Sequence, residues 1–326
     1  MKKAFITGIS GQDGSYLAEF LLEKGYEVHG LVLRVELEDP ERSLWRLSNV
    51  LDRVILHASS IESYPSLFRI IQQVQPDECY HLAAASFVSY SFDEEFAIFN
   101  ANVNGTHNIL SVIKEVAPHC RFYFAGSSEM FGKADVSPQD ESTPFNPRSV
   151  YGITKVTGLH LSRAYRENYD LFTCNGILYN HESERRGFEF VTRKISNTVA
   201  KIKLGMANEL RLGNLEAMRD WGYSPDYVRA MWLMLQQPEP DDYVIATGIA
   251  HSVKELVITA FEEVNLDWQK YVVSDPKYYR PAEAVILTGN AAKAHQKLGW
   301  SPVVSFDELI RLMVKADLSR LECKTG

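Results

Sequence analysis

The sequence is poor in long apolar runs, in basic charge and in paired cysteines. Its 326 residues contain no apolar run near the roughly 20 residues that a membrane-spanning helix needs. Met1–Lys3 leads into a strand pattern without a leader-like apolar segment, so we expect no membrane association and a cytoplasmic location. The formal charge of -8 argues against a nucleic-acid partner, because nucleic-acid-binding surfaces are basic.

Cysteine and histidine are too few and too scattered to predict a disulfide framework or a metal site. The four cysteines are Cys79, Cys120, Cys174 and Cys323, and none of them forms a Cys-x-x-Cys pair. Cys79 and Cys174 fall inside predicted strands, which indicates reduced thiols in the core. The nine histidines are dispersed along the chain. We therefore expect no bound metal.

The glycine-rich segment near the N-terminus is the first positive signal. A short apolar run, Ala4–Thr7, is followed by Gly8, Gly11 and Gly14, and then by a helix pattern that Gly25 closes. Glycines in such a turn let a diphosphate approach the backbone, and the helix N-terminus supplies oriented N–H groups. Because the turn directly follows a strand, a dinucleotide site is favoured over a purely structural turn.

Strand and helix patterns alternate after this turn, which predicts an α/β fold with a doubly wound, Rossmann-like parallel sheet. We expect a dinucleotide-binding domain over residues 1–178, joined by a strand near 243–246, and a smaller α/β substrate lobe over 179–326 that is interleaved with this core. The predicted strands are Val28–Leu33, Val54–Leu56, Cys79–Ala85, Arg121–Ala125 and Phe172–Leu178, and the predicted helices include Leu67–Val74, Val103–Val116, Tyr151–Asn168, Val228–Leu235 and Leu309–Leu318.

Four residues near the middle of the chain have the composition of an alcohol-oxidation site. Tyr151 and Lys155 share a helix face at i, i+4 spacing, where the ammonium is expected to lower the pKa of the phenol. Such a Tyr can take the proton of an alcohol while a nicotinamide takes the hydride, and Ser127 can hold the same oxygen. Glu129 is unexpected, because simple alcohol oxidation needs no carboxylate there. The alternative for the Tyr-Lys pair is an exposed helix face.

Arg34 lies at the end of the second predicted strand, where proteins that use NAD usually carry an acidic residue. A guanidinium at this position favours a 2'-phosphate, so we expect NADP rather than NAD. Glu36, Glu38 and Asp39 follow directly and could instead pair with Arg34.

Cations recur in the segment after the sixth strand of the alternating pattern. A polar stretch over Asn180–Gly187 is predicted as a loop, and basic residues follow it at Arg193, Lys194, Arg211 and Arg219. In an acidic chain this concentration indicates a phosphorylated substrate. The alternative for each single cation is a solvated helix face.

Several longer motifs give the sequence a resemblance to a known family. It resembles the extended short-chain dehydrogenases/reductases and, within them, the GDP-mannose 4,6-dehydratases. The motifs that carry this resemblance are Gly8–Tyr16, Ser128–Gly132, Tyr151–Lys155, Asn175–Ser183, Phe190–Lys194, Leu212–Asn214, Arg219–Gly222 and Arg280–Glu283. The resemblance implies a redox-neutral dehydration of a GDP-linked sugar, in which Tyr151 starts the oxidation and Glu129 acts as base and then as acid.

The resemblance also implies the binding residues. The cofactor residues are Gly8, Gly11, Gln12, Asp13, Gly14, Arg34, Ala83, Tyr151, Lys155 and His181. The substrate residues are Ser86, Glu129, Asn180, Val191, Lys194, Leu212, Asn214, Arg219, Arg280 and Glu283. Relatives use helices that correspond to 95–116 and 148–168 as a dimer interface, so a homodimer, or a tetramer, is expected.

Departures from the family pattern leave alternatives open. Ser127 stands for a usual Thr, Ala85 for a Gln, Val150 for a Pro, and the segment 35–43 is acidic rather than rich in Arg and Ser. The substrate could therefore be another GDP-sugar, such as a GDP-manno-heptose. A nucleotide-sugar reductase or epimerase on the same fold, or a non-catalytic cofactor-binding module, are the other interpretations.

Overall fold

The computed structural model describes residues 1–84, 95–278 and 286–325. The strands are β1 Lys3–Thr7, β2 Glu27–Val32, β3 Ile55–Ala58, β4 Glu78–His81, β5 Arg121–Ser127, β6 Thr173–Leu178, β7 Asn180–Glu182, β8 Leu210–Leu212, β9 Met218–Tyr223, β10 Asp242–Ile245, β11 Ala250–Ser252 and β12 Val272–Ser274. The helices are α1 Gln12–Glu23, α2 Arg34–Glu38, α3 Pro40–Ser43, α4 Tyr64–Val74, α5 Glu95–Phe99, α6 Gly105–Val116, α7 Val150–Tyr169, α8 Val191–Lys203, α9 Ser224–Leu235, α10 Val253–Glu263, α11 Ala292–Leu298 and α12 Phe306–Thr325.

Seven strands form one parallel sheet in the order β3-β2-β1-β4-β5-β6-β10. Strand order reverses beside β1, and parallel strands with this order need helices on both faces. The predicted doubly wound α/β fold is therefore confirmed. The strand predicted near 243–246 is β10, which pairs with β6 at the sheet edge.

The sheet is buried on both faces, as its nearly continuous apolar strands require. Phe122 and Phe124 of β5 contribute to one core cluster together with side chains of α4, α6 and α7. Tyr123 points to the opposite face, where α1 and α9 cover the sheet. This alternation follows from the two-residue period of a strand.

A third core cluster holds the smaller lobe together. It joins α8, α10 and α12 through residues such as Val199, Leu256 and Met313, all of which are fully buried. A short sheet in the order β11-β9-β7 connects the lobe to the carboxyl end of β6. β7 lies within the stretch that the sequence predicted as a loop. That prediction is wrong for Asn180–Glu182, because these residues pair with a strand about 40 positions further on and carry no local strand pattern.

Three of the four cysteines are buried and reduced, and Cys323 is exposed and also free. In the described ranges, no helix is both long enough and apolar enough to cross a bilayer. The same ranges contain no cluster of three His, Cys, Asp or Glu side chains that is arranged to hold a metal ion.

Candidate active site

A cavity of about 1230 Å³ lies between the carboxyl ends of the sheet strands and the smaller lobe. This is the edge at which ligands bind in open parallel sheets. Its volume exceeds the range of about 300–1,000 Å³ that is usual for one small-molecule site, so it has room for a dinucleotide and a second ligand together.

The glycine turn forms one end of this cavity. Gly8 has a φ of +74°, which favours glycine, and a Cβ on Gly14 would lie only 2.2 Å from the carbonyl oxygen of Gly8. The N–H of Gly11 donates to that same oxygen, at 3.1 Å. Gly11 is the N-cap of α1 and has no side chain to occupy the first-turn N–H groups. The turn and the helix N-terminus therefore fit a diphosphate.

A buried polar network fixes the glycine turn to β7 and α9. One Asp13 carboxylate oxygen accepts from His181 Nε2 at 2.8 Å, and the other accepts from Ser224 Oγ at 2.8 Å. Gln12 Nε2 donates to the carbonyl oxygen of His181, while Gln12 Oε1 accepts from Ser183 Oγ. Asp13, Gln12 and His181 all line the cavity. These hydrogen bonds join the start of α1 to the segment that follows β6.

The Asp13–His181 contact is an ion pair. Burial alone would raise the pKa of Asp13, but the His181 charge and the two hydrogen bonds outweigh it and lower the pKa to about 2. Burial would likewise lower the pKa of His181, yet the Asp13 carboxylate raises it. His181 Nδ1 also lies 2.7 Å from the carbonyl oxygen of Tyr179. A doubly protonated ring satisfies both contacts as a donor.

The predicted catalytic residues come together at the end of β5 and the start of α7. Ser127 ends β5, and its Oγ accepts from the N–H of Glu129 at 3.2 Å. α7 begins after Ser149, whose Oγ accepts from the N–H of Gly152. Tyr151 and Lys155 are both buried in its first two turns. Ser127, Glu129, Tyr151 and Lys155 all line the cavity, and we call these four residues the sheet wall.

The prediction that Lys155 lowers the pKa of Tyr151 is wrong for the protein without bound ligands. Burial raises the pKa of Tyr151 to about 12, and the hydrogen bond with Ser127 and the charge of Arg186 offset only part of this. Lys155 Nζ donates to the carbonyl oxygen of Ala125 at 2.8 Å and lies 5.7 Å from the centre of the Tyr151 ring. Burial also lowers the pKa of Lys155 to about 8. Desolvation thus dominates both groups.

The opposite wall of the cavity comes from the lobe and from β7. Its members are Asn180, Val191, Lys194, Leu212, Asn214 and Arg219, and we call them the lobe wall. Lys194 Nζ lies 3.4 Å from the centre of the Tyr278 ring, and burial lowers its pKa. Three predicted substrate residues, Ser86, Arg280 and Glu283, fall outside the described residues, as does Ala85.

Two of the cations that the sequence grouped with a phosphorylated substrate have structural contacts instead. Arg193 is fully buried in a bidentate ion pair with Asp317, with a closest distance of 2.6 Å. Arg211 is exposed and pairs with Glu209 at 2.6 Å. Neither Arg193 nor Arg211 lines the cavity. Lys194 and Arg219 do line the cavity, and the sequence spacing did not distinguish these two cations from Arg193 and Arg211.

The cavity lining also contains residues that were not predicted as site residues, among them the charged residues Arg186 and Glu36. Arg186 contacts Glu182 at 3.0 Å and lies over the Phe190 ring at 3.4 Å, and its charge lowers the pKa of Tyr151. Its only sequence signal was membership of the polar stretch 180–187.

The sequence favoured Arg34 as the residue that faces the cofactor, but in the structure Glu36 lines the cavity and Arg34, which is exposed, does not. Glu36 Oε2 accepts from the N–H of Leu33 at 2.7 Å, and Glu36 Oε1 accepts from the hydroxyl of Ser10 in the glycine turn. Ala83 lines the cavity beside this turn, with its N–H donated to Thr7 Oγ1.

Known proteins share the sequence pattern and the fold of this chain. The sequence model of the family described as GDP-mannose 4,6 dehydratase matches residues 5–313. GDP-mannose 4,6 dehydratase 1 of Arabidopsis thaliana is 47% identical over 328 residues, covering 97% of this chain and 90% of that relative.

Solved structures show the same fold at lower identity. dTDP-glucose 4,6-dehydratase from Bacillus anthracis, in complex with NAD, matches with a TM-score of 0.84 and 19% identity, over 99% of this chain and 98% of that one. RMD from Pseudomonas aeruginosa, complexed with NADPH, matches with a TM-score of 0.83 and 21% identity, over 98% of this chain and 100% of that one. Both neighbours hold a nicotinamide dinucleotide in this fold.

Proposed function

Because the chain belongs to the GDP-mannose 4,6 dehydratase family, we propose that it dehydrates GDP-mannose to GDP-4-keto-6-deoxy-mannose. The observation that carries the proposal is that Glu129 and Tyr151 line the same cavity as the glycine turn and the lobe wall. An oxidation site needs only the phenol. A carboxylate beside it supplies the acid and base that an elimination requires.

Tyr151 starts the reaction by taking the proton of the sugar 4-hydroxyl. Ser127 holds the same oxygen by hydrogen bonding, since its side chain already interacts with the Tyr151 phenol. The chemistry that a bound nicotinamide supplies is removal of hydride from C4 and its return at C6, with no net oxidation. Lys155 is held beside this phenol by its hydrogen bond to the carbonyl oxygen of Ala125.

Glu129 serves twice in the elimination. A ketone at C4 acidifies the C5 proton, which the Glu129 carboxylate removes. The protonated Glu129 then donates to the C6 hydroxyl, which leaves as water. C5 must regain one proton when the hydride returns to C6. Tyr151 supplies this proton, because it took one from the 4-hydroxyl in the first step. The substrate loses one water in total.

The lobe wall is proposed to hold the GDP part of the substrate. Lys194 and Arg219 are its cations, and their charges suit a diphosphate. The side chains of Asn180 and Asn214 can form hydrogen bonds with the sugar or the base. Val191 and Leu212 supply apolar contact. Ser86, Arg280 and Glu283 stay predictions from the sequence.

The cofactor is a nicotinamide dinucleotide, bound at the glycine turn. NADP rather than NAD was predicted from Arg34 alone, and that preference stays a prediction of the sequence. The structural contacts that bear on it lie around Glu36.

We also propose that the protein assembles at least as a homodimer in the cytoplasm. α5 and α7 pack side by side and leave apolar side chains exposed at Phe96, Phe99 and Ile153, with Phe96 87% exposed. Such a patch is typical of an interface between subunits. Light scattering after size-exclusion chromatography measures the state, and a monomer contradicts the proposal.

Incubation of the purified protein with GDP-mannose, without added cofactor, tests the proposed reaction. Mass spectrometry is expected to detect a product that is lighter by one water. A strict requirement for stoichiometric NADPH would instead favour a reductase, which has no need of Glu129. A GDP-manno-heptose assayed in parallel separates the two sugars.

A further inference from the structure

We propose that Glu36 makes this protein prefer NAD over NADP, which is the reverse of the preference predicted from Arg34. The inference deepens the proposed function, on which it rests only for the dinucleotide site at the glycine turn. It concerns the wall that receives the adenosine ribose.

The position of Glu36 is the first argument. A dinucleotide whose diphosphate lies on the glycine turn places its adenosine ribose beyond the end of β2. An acidic residue about 20 positions after the last glycine of the turn is the usual partner of the ribose 2'-hydroxyl. Glu36 has this spacing from Gly14 and lines the cavity, although the sequence alone indicated only a possible ion pair with Arg34.

The fixed orientation of the carboxylate is the second argument. On the short helix α2, Val35 and Leu37 are exposed, whereas Glu36 is turned inward and partly buried. Its two oxygens accept from the Leu33 N–H on one side and from the Ser10 hydroxyl on the other. The carboxylate is thereby held between β2 and the glycine turn.

The bonding capacity of the carboxylate discriminates between the two dinucleotides. An ionised carboxylate offers about four lone-pair sites, and the two protein donors use two of them. The remaining sites can accept from the 2'- and 3'-hydroxyls of the NAD ribose. The 2'-phosphate of NADP has no proton to donate at neutral pH and would bring a second negative charge against the carboxylate, which is unfavourable.

The surrounding charges do not reverse this preference. The described lining after β2 and β3 consists of Leu33 and Glu36 on one segment and of residues 59–62, including Glu62, on the other. It contains two carboxylates and no Lys or Arg. Arg46, which is not a lining residue, donates to the backbone oxygens of Ser10 and Arg185. Arg34 is exposed and does not line the cavity.

The experiment measures dinucleotide binding rather than turnover. The dinucleotide released from the purified protein by denaturation is identified by mass spectrometry, and the stripped protein is titrated with NADH and NADPH by nicotinamide fluorescence. We expect NAD to be released and NADH to bind at least about 10-fold tighter, which is the effect of a single charge-assisted hydrogen bond between Glu36 and the ribose.

Four variants test whether Glu36 causes this preference. Glu36→Ser is expected to shift the NADH/NADPH affinity ratio toward NADPH by about 10- to 100-fold. Glu38→Gln, on the exposed side of the same helix, is the matched control and should leave the ratio unchanged. Arg34→Ala should also leave it unchanged. Glu36→Gln keeps an acceptor for Leu33 and serves if the serine variant does not fold.

Each outcome decides the proposal. NADPH bound more tightly by the wild type, or an unchanged ratio in both Glu36 variants, would overturn it, and so would a selective loss of NADPH in Arg34→Ala. Absence of binding to either dinucleotide would overturn it together with the proposed function. Preferential NAD binding without dehydration of GDP-mannose would uphold the inference and refute the reaction.

Discussion

The sheet wall and the lobe wall of the cavity are built by different means. Ser127 and Tyr151 are placed by the backbone, at the end of a central strand and in the first turn of the helix that packs against it. Lys194 lies on α8, which a long-range contact, the buried pair between Arg193 and Asp317, ties to α12. The groups proposed to react are thus held by elements of the central sheet, whereas Lys194, which is proposed to bind substrate, is held by the packing of the lobe.

The largest effect is expected at the phenol of the sheet wall. Tyr151→Phe removes the group that is proposed to take the 4-hydroxyl proton and should slow the first oxidation by about 10²- to 10⁴-fold. Single-turnover absorbance of the reduced nicotinamide measures this step. Tyr169→Phe, at the exposed end of the same helix, is the control and should be unaffected. Ordinary reduction in Tyr151→Phe would remove this residue from the role.

Glu129→Gln should abolish dehydration with a loss of at least about 10²-fold while dinucleotide binding is retained. The amide cannot accept the C5 proton or deliver it to the leaving hydroxyl. Exchange of the C5 hydrogen with deuterated water, followed by mass spectrometry, reports the step directly. If the variant still exchanges and dehydrates at a near-normal rate, the carboxylate is not the acid and base.

Asp317→Asn tests the pairing that supports the lobe wall. Removal of one buried partner leaves the Arg193 guanidinium uncompensated, and we expect a loss of about 3 kcal/mol in the free energy of unfolding. Urea denaturation measures it. Glu209→Gln breaks the exposed pair with Arg211 and should change the free energy of unfolding little, because solvent screens such a pair. Equal losses of unfolding free energy in the two variants would mean that the buried Arg193–Asp317 pair stabilises the lobe no more than an exposed pair does.

Lys194→Ala tests whether the lobe wall binds without reacting. Loss of one cation that is proposed to face the substrate diphosphate should raise KM for GDP-mannose about 10-fold with little change in kcat. Lys201→Ala, in the last turn of the same helix and outside the cavity lining, is the control. A fall in kcat at unchanged KM would move Lys194 to the reacting side of the cavity.

The smallest effect concerns the Asp13–His181 ion pair, which joins the glycine turn to β7. The raised pKa of His181 adds stability that is complete below its unfolded value near 6.5 and is lost as pH rises through the folded pKa. The lowered pKa of Asp13 adds stability that is present above pH 3.8, the unfolded-state pKa, and is lost as the pH falls toward about 2.

The melting temperature of His181→Gln, compared with the wild type, tests this dependence. The deficit of the variant should be largest between about pH 4 and pH 6.5 and should shrink at higher pH. The exposed His119→Gln is the control. A deficit that does not change with pH would mean that His181 is neutral in the folded protein.

Site residues next to the end of a strand or the start of a helix could be located from the sequence. Site residues whose role depends on the direction of the side chain could not. Ser127 follows a strand pattern and Tyr151 opens a helix pattern, so both were expected at the carboxyl edge of the sheet, where the structure has them. Arg34 and Glu36 lie only two positions apart. Which of the two faces the cavity was decided by α2 and by the Ser10 hydroxyl, which no local pattern indicates.

Local patterns in the chain were enough to predict the doubly wound sheet, the glycine turn and the grouping of Ser127, Glu129, Tyr151 and Lys155, because strand and helix periodicity and steric freedom of the backbone are local properties. Folding in three dimensions was needed to show that Arg193 pairs with Asp317, that Glu36 rather than Arg34 lines the cavity, and that the pKa of Tyr151 is raised. Burial and charge pairing depend on distant segments, and a linear pattern does not contain their distances.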